Sequence, residues 1–194
     1  MIERWAMARP WLWKVVNGRT GMPAASADAH PRPEARYRAV VVGYGPTGRT
    51  VARLLKDNGV SPTVVELNME TVREIKDAGI DVIYGDASHR DTLREAGVAD
   101  AAVLVLTSAD IAHTEDVIRL AREHSPGLRV MARTTHLRER DALKAAGADL
   151  VFSGEGEVAL AFTESILSRL GATAEQIDRE RSRVHAELFG NTAT

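Results

Sequence analysis

Residues Arg38–Gly48 read RAVVVGYGPTG. A short, largely β-branched run stops at Gly43, and a helical pattern starts at Pro46. The glycines Gly43, Gly45 and Gly48 therefore form GxGxxG between a strand and a helix. The motif alone is weak, and it gains meaning from that context. Gly43 permits the tight turn, Gly45 lets backbone approach a pyrophosphate, and Gly48 lets the helix lie close to the strand. Pro46 sits in the first helical turn, where a missing N–H costs little. The loop Gly43-Tyr44-Gly45-Pro46-Thr47-Gly48 then offers free N–H groups and the positive end of a helix dipole to a phosphate.

Outward from this loop the chain alternates between two periods. Helical spacing over 46–58 is followed by a strand over 62–66 (PTVVE). A helix over 68–78 has Asn68 as its N-cap and Gly79 beyond its end. A strand over 80–84 precedes a helix over 88–96, for which Ser88 is the expected N-cap and Gly97 the stop. AAVLVL at 101–106 is a fourth strand, and 111–124 a helix. A strand over 128–132, a helix over 136–146 closed by Gly147, a short strand over 149–152 and a long helix over 155–170 complete the unit. Central strands that are apolar throughout belong to a parallel sheet covered on both sides. Short connections and right-handed crossovers leave a doubly wound α/β Rossmann sheet, six-stranded and parallel in the order 3-2-1-4-5-6, with helices on both faces.

In such a sheet ligands bind beyond the carboxyl ends of the strands. Glu66 ends the second strand, 18 positions after Gly48. A carboxylate there accepts hydrogen bonds from ribose hydroxyls and repels a 2′-phosphate, which favours NAD or an adenosine nucleotide over NADP. The alternative is a surface glutamate. Asp86, followed by Ala87, ends the third strand. It faces the adenine side of a crevice or caps the helix near Ser88. Thr107 and Ser108 follow the fourth strand, and Arg133, Thr134 and Thr135 the fifth. Arg133 is suited to a phosphate or carboxylate, or to a structural ion pair.

Composition narrows the classes. The net charge of −2 lacks the basic surplus that nucleic-acid binding needs. Without a cysteine there is no disulfide, thiolate metal site or catalytic thiol. No apolar run approaches the roughly 20 residues of a membrane span, and the first residues do not read as a signal peptide. His30, His89, His113, His124, His136 and His185 are scattered, with no HExxH. Tyr37, Tyr44 and Tyr84 have Val41, Gly48 and Ser88 four positions on, so a Tyr-x-x-x-Lys pair is absent. No G-x-S-x-G elbow occurs. An oxidoreductase would need a proton donor in the crevice. A methyltransferase would favour GxGxG and a seventh, antiparallel strand. Sensing a ligand fits the residues better than transforming one.

The ends differ from this unit. Trp5, Trp11 and Trp13 lie between Arg4 and Lys14. They suit a frayed helix or an interfacial anchor. The division expected is a Trp-rich segment over 1–17, a flexible linker over 18–36, the Rossmann unit over 37–171, and a charged helix and tail over 172–194. The tail helix, with Ile177, Val184 and Leu188 near one face, either docks on its own domain or joins a dimer.

AVVVGYGPTGRTVARLL, TVVELNMETVREIKDAGIDVIYGDA and ADLVFSGEGEVALAFTESILSRLGA together resemble the RCK N-terminal (TrkA-N) family. More narrowly, they resemble the C-terminal cytoplasmic part of Kef-type potassium/proton antiporters. The Tyr84-Gly85-Asp86-Ala87 turn and the stretch Phe152–Glu157 are the more specific parts. The resemblance implies a regulatory domain, homodimeric, biased by NAD(H) or by AMP or ATP, at the cytoplasmic face of a bacterial inner membrane. By matching position, phosphates lie on Gly43–Gly48, Glu66 holds a ribose, and Asp86 and Ala87 meet adenine. Thr107 and Arg133 line the remainder, and Glu155 serves a dimer contact or the crevice rim. A free-standing TrkA-like subunit of a potassium uptake system is the alternative. Two departures stand out. Many relatives carry Arg where this chain has Pro46, and the membrane domain is missing, so Met1 is expected to be an internal position of a longer antiporter.

Overall fold

A computed structural model describes residues 38–108 and 114–190. The Trp-rich segment, the linker and the expected first turn of the helix at 111 lie outside the described residues. Six parallel strands form one sheet in the order β3-β2-β1-β4-β5-β6. They are β1 Arg38–Val42, β2 Ser61–Glu66, β3 Asp81–Tyr84, β4 Val103–Leu106, β5 Arg129–Thr134 and β6 Leu150–Ser153. The order is the one the sequence predicts. Val41 of β1 pairs with Val64 on one side and Val105 on the other.

Strand β1 alternates between two cores, as a period of two requires. Val40 and Val42 join the larger, with Leu93, Leu104, Leu106, Ile118 and Val130. Val41 joins the smaller, with Tyr44, Ala52, Val64 and Ile75. Each of these large side chains contributes about 1.5–3 kcal/mol by leaving water. Helices α1 (Pro46–Asp57) and α2 (Met69–Asp77) cover the smaller core. Helices α3 (Arg90–Glu95), α4 (Thr114–His124) and α5 (Arg140–Ala145) cover the larger.

Asn68 caps α2 as expected, accepting from the N–H groups of Glu70 and Thr71. Helix α3 departs from expectation. It starts at Arg90 after His89, and neither His89 nor Ser88 caps it with a side chain. Asp86 instead accepts from the Ser88 N–H at 2.8 Å, so the turn is closed one step earlier. Strand β5 runs two residues past its expected end and takes in Arg133 and Thr134. The helix expected over 136–146 splits into a 3₁₀ turn, Leu137–Glu139, and α5. The Leu137 N–H is taken by Glu155, and the Glu139 carboxylate by the Thr134 hydroxyl.

Helix α6 (Gly154–Arg169) follows β6, and α7 (Ala174–Phe189) folds back on it. Thr173 and Gln176 form a full capping box at the start of α7. At its other end Phe189 is buried against Gly156, where a Cβ would lie 2.3 Å from the ring. Among the described residues no helix is long and apolar enough to cross a membrane.

Candidate functional site

In the order 3-2-1-4 successive strands are added first on one side of β1 and then on the other, and a crevice opens there beyond the strand ends. It holds a cleft of about 450 Å³ bounded by the glycine loop, the ends of β2 and β3, Thr107, Ser108 and Arg133.

The three glycines do three different things. Gly43 has φ +90°, a left-handed value that disfavours side chains. Its N–H donates to the Val65 carbonyl at 2.9 Å, tying the loop to β2. At Gly48 a Cβ would sit 2.1 Å from the Gly43 oxygen, so the residue is required for packing, and it is not among those lining the cleft. Gly45 is bound by neither demand. Its φ is −67°, and a Cβ there would have nothing within 4 Å. It lines the cleft, as do Tyr44, Pro46 and Thr47. No side chain caps α1, and Pro46 lies at its first turn. The Gly45 N–H has no partner among the described residues.

Glu66 works inside the fold as well as beside the cleft. One carboxylate oxygen accepts from the Tyr44 N–H at 2.9 Å. The other accepts from Leu67 and Asn68 at 2.8 and 2.9 Å. Each carboxylate oxygen has two lone pairs, so acceptor capacity remains. Asp86 closes its own turn and lines the cleft beside Ala87. The Thr107 hydroxyl is directed to the Val42 and Gly43 carbonyls, each at 3.0 Å, and so holds the glycine loop. Arg133 lines the cleft and has no hydrogen bond or ion pair among the described residues, unlike the structural pair its sequence context allowed.

Val42, Val65, Leu67 and Gly85 also line the cleft. Leu67 follows Glu66 directly, so a strand-end reading one residue longer would have included it. Glu155, which is not among the residues lining the cleft, accepts from the Leu137 N–H and meets His136 Nδ1, both at 2.8 Å. The His136 hydrogen bond, then the Leu137 N–H, holds the Glu155 carboxyl below its ordinary range. Among the described residues no cluster of His, Asp and Glu could hold a metal.

Comparison with known proteins gives the family. The TrkA-N domain model matches residues 39–154, a span that takes in the whole cleft. The chain is 30% identical over 156 residues to the glutathione-regulated potassium-efflux system protein KefC of Salmonella arizonae. That alignment covers 80% of this chain and 24% of the relative, so the chain spans about a quarter of the length of such relatives. The solved TrkA-N domain of the inner membrane protein ybaL from Escherichia coli superposes with a TM-score of 0.64 at 26% identity. It covers 66% of this chain and 96% of its own. The Kef CTD of Shewanella denitrificans, solved in an AMP-bound form, gives 0.62 at 24% identity over 80% of this chain and 98% of its own. In fold, in glycine loop and in the span matched, the chain belongs to the TrkA-N domain family.

Proposed function

We propose that the cleft takes an adenine nucleotide, NAD(H) or AMP/ATP, as a regulatory ligand, and that the domain controls a potassium or other cation/proton antiporter. The observation that carries this is Gly45. Neither its backbone angles nor its packing requires glycine, yet its N–H has no partner among the described residues and the space beside its Cα opens on the cleft. A phosphate fits that combination at an uncapped helix start. In this reading the ribose lies against Glu66, adenine against Asp86 and Ala87, and Arg133 meets a phosphate or carboxylate. The AMP-bound Kef CTD supports the ligand class. The relation to KefC, a much longer potassium-efflux protein, supports a membrane domain as partner. An apolar ridge on α6, Val158, Phe162 and Ile166, supports a homodimer. Control acts by population shift: a nucleotide moves the gate only through its different affinity for two domain arrangements.

The test is calorimetric titration of the chain with NAD, NADH, NADPH, AMP and ATP, repeated on Glu66→Ala and Gly45→Val. Micromolar binding of NAD(H) or an adenine nucleotide, weak NADPH binding and loss in both variants are expected. Failure of all five to bind overturns the reading. Turnover of NADH with a carbonyl substrate would favour an oxidoreductase instead.

A further inference from the structure

We infer that Arg49 is a positioning residue, which locks the Tyr44–Gly45 peptide so that the Gly45 N–H is held ready for a phosphate. The inference rests on the nucleotide reading for its ligand, but its structural part stands alone.

Two successive peptides make the turn. The first, Gly43–Tyr44, is pinned at both ends: its carbonyl accepts from Thr107, and its N–H donates to Glu66. The second, Tyr44–Gly45, is pinned at one end only. Its carbonyl accepts from Arg49 Nε at 3.2 Å, while the Gly45 N–H has no partner among the described residues. A trans peptide is planar, with N–H and C=O pointing opposite ways, so holding one fixes the other. The lock is needed because of the glycine. Without a Cβ, Gly45 resists rotation of the preceding peptide less than any other residue would. The freedom that admits a ligand would also let the N–H turn away.

Arg49 is itself held. Its Nη2 lies 2.6 Å from Glu74 of α2, and its guanidinium sits 5.4 Å from the centre of the Tyr44 ring. That ring is anchored in the smaller core. The charge is therefore already matched by Glu74, and the guanidinium plane is fixed by three contacts. Lysine keeps the charge but has neither the fork nor the planar face.

The experiment uses the full chain with Arg49→Met and Arg49→Lys. One measurement is AMP affinity. Both variants are expected to bind about tenfold more weakly, the effect of a lost charge-assisted hydrogen bond. The other is the Gly45 amide resonance in ¹⁵N spectra without ligand. It should broaden or split in both variants, while the Leu67 and Asn68 amides, held by Glu66, stay in place. Wild-type affinity in Arg49→Lys would mean that charge alone suffices and would overturn the inference. So would an unchanged Gly45 amide in Arg49→Met. If the wild type binds neither AMP nor any of the other four nucleotides, the nucleotide reading falls, and the amide spectrum still decides the lock.

Discussion

Gly45 and Gly48 lie three positions apart and have opposite constraints. An alanine Cβ at 48 would lie 2.1 Å from a backbone oxygen that cannot move without opening the turn. At 45 it would meet nothing within 4 Å, at a backbone angle every residue accepts. Gly48→Ala is therefore expected to destabilise the fold by several kcal/mol, beyond the usual range of about 1–3 for overpacking. Gly45→Ala should change stability by less than about 1 kcal/mol, because restriction of the unfolded chain and loss of a glycine N-cap oppose each other. The same alanine should weaken nucleotide binding. Denaturant unfolding and calorimetry on the two variants check this. Equal stability losses would mean that Gly45 serves the fold. The sequence marked both glycines through the motif, and it marked Glu66 through its place at a strand end. It did not show that the Glu66 carboxylate also fastens Tyr44, Leu67 and Asn68. Nothing in spacing records a bond from a side chain to a backbone 22 residues away.

At the scale of elements, the β-branched and apolar runs were readable because central parallel strands are buried on both faces. The ends of elements were less so. Arg133 and Thr134 look like loop residues, yet β6 pairs with them and extends β5. The helix after β5 opens on a 3₁₀ turn, and the free N–H at its start, that of Leu137, is taken by Glu155 from the next unit. This cross-link has a pH dependence. The Glu155 carboxyl is held below its ordinary value by His136 and the Leu137 N–H, and that of Glu139 by the Thr134 hydroxyl. A lowered carboxyl contributes stability above its unfolded pKa, and loses that contribution as pH falls through the folded one. Melting temperature should thus fall more steeply below about pH 4.5 in the wild type than in Glu155→Gln. Parallel curves would show that the contact adds nothing. The docking of α7 is a second long-range fact hidden from the sequence. Phe189 fills the space left by Gly156, with His185 and the Arg140 guanidinium against its ring. Phe189→Ala should cost about 3 kcal/mol in this local contact. The sheet should stay folded while α7 undocks, and trypsin should cut at Arg179, Arg181 or Arg183 faster than in the wild type. An unchanged cleavage rate would mean that α7 is held from elsewhere.

For the whole molecule, β6 and α6 leave apolar surface uncovered. Leu150 and Phe152 of β6 are 43% and 46% exposed, and Phe162 and Ile166 of α6 are 63% and 55% exposed. Single exposed apolar residues are ordinary on a monomer, but a row at i, i+4 and i+8 is a face. Val158, Phe162 and Ile166 form such a row, and Leu170, 76% exposed, continues it. The tail helix covers another side of α6, where Phe189 is buried against Gly156. The row was present in the sequence but could not be told from a core-facing stripe until α7 was seen to take the other side. A second copy related by a two-fold axis would bury the same row on both molecules. The chain is then expected to sediment as a dimer at micromolar concentration. Phe162→Glu should give monomers, with a melting temperature close to that of the dissociated wild type, because the side chain is mostly exposed within its own copy. A wild type that stays monomeric at every concentration tested would remove the homodimer from the reading. It would leave the ridge to a different partner, such as the membrane domain, without altering what the cleft binds. That separation matters, because a nucleotide can gate a transporter only if some interface changes with it. The ridge and the cleft lie on different elements, joined through β5, β6 and the Glu155 contact. AMP should therefore shift the sedimentation midpoint of the wild type if the two are coupled, and leave it unmoved in Gly45→Val.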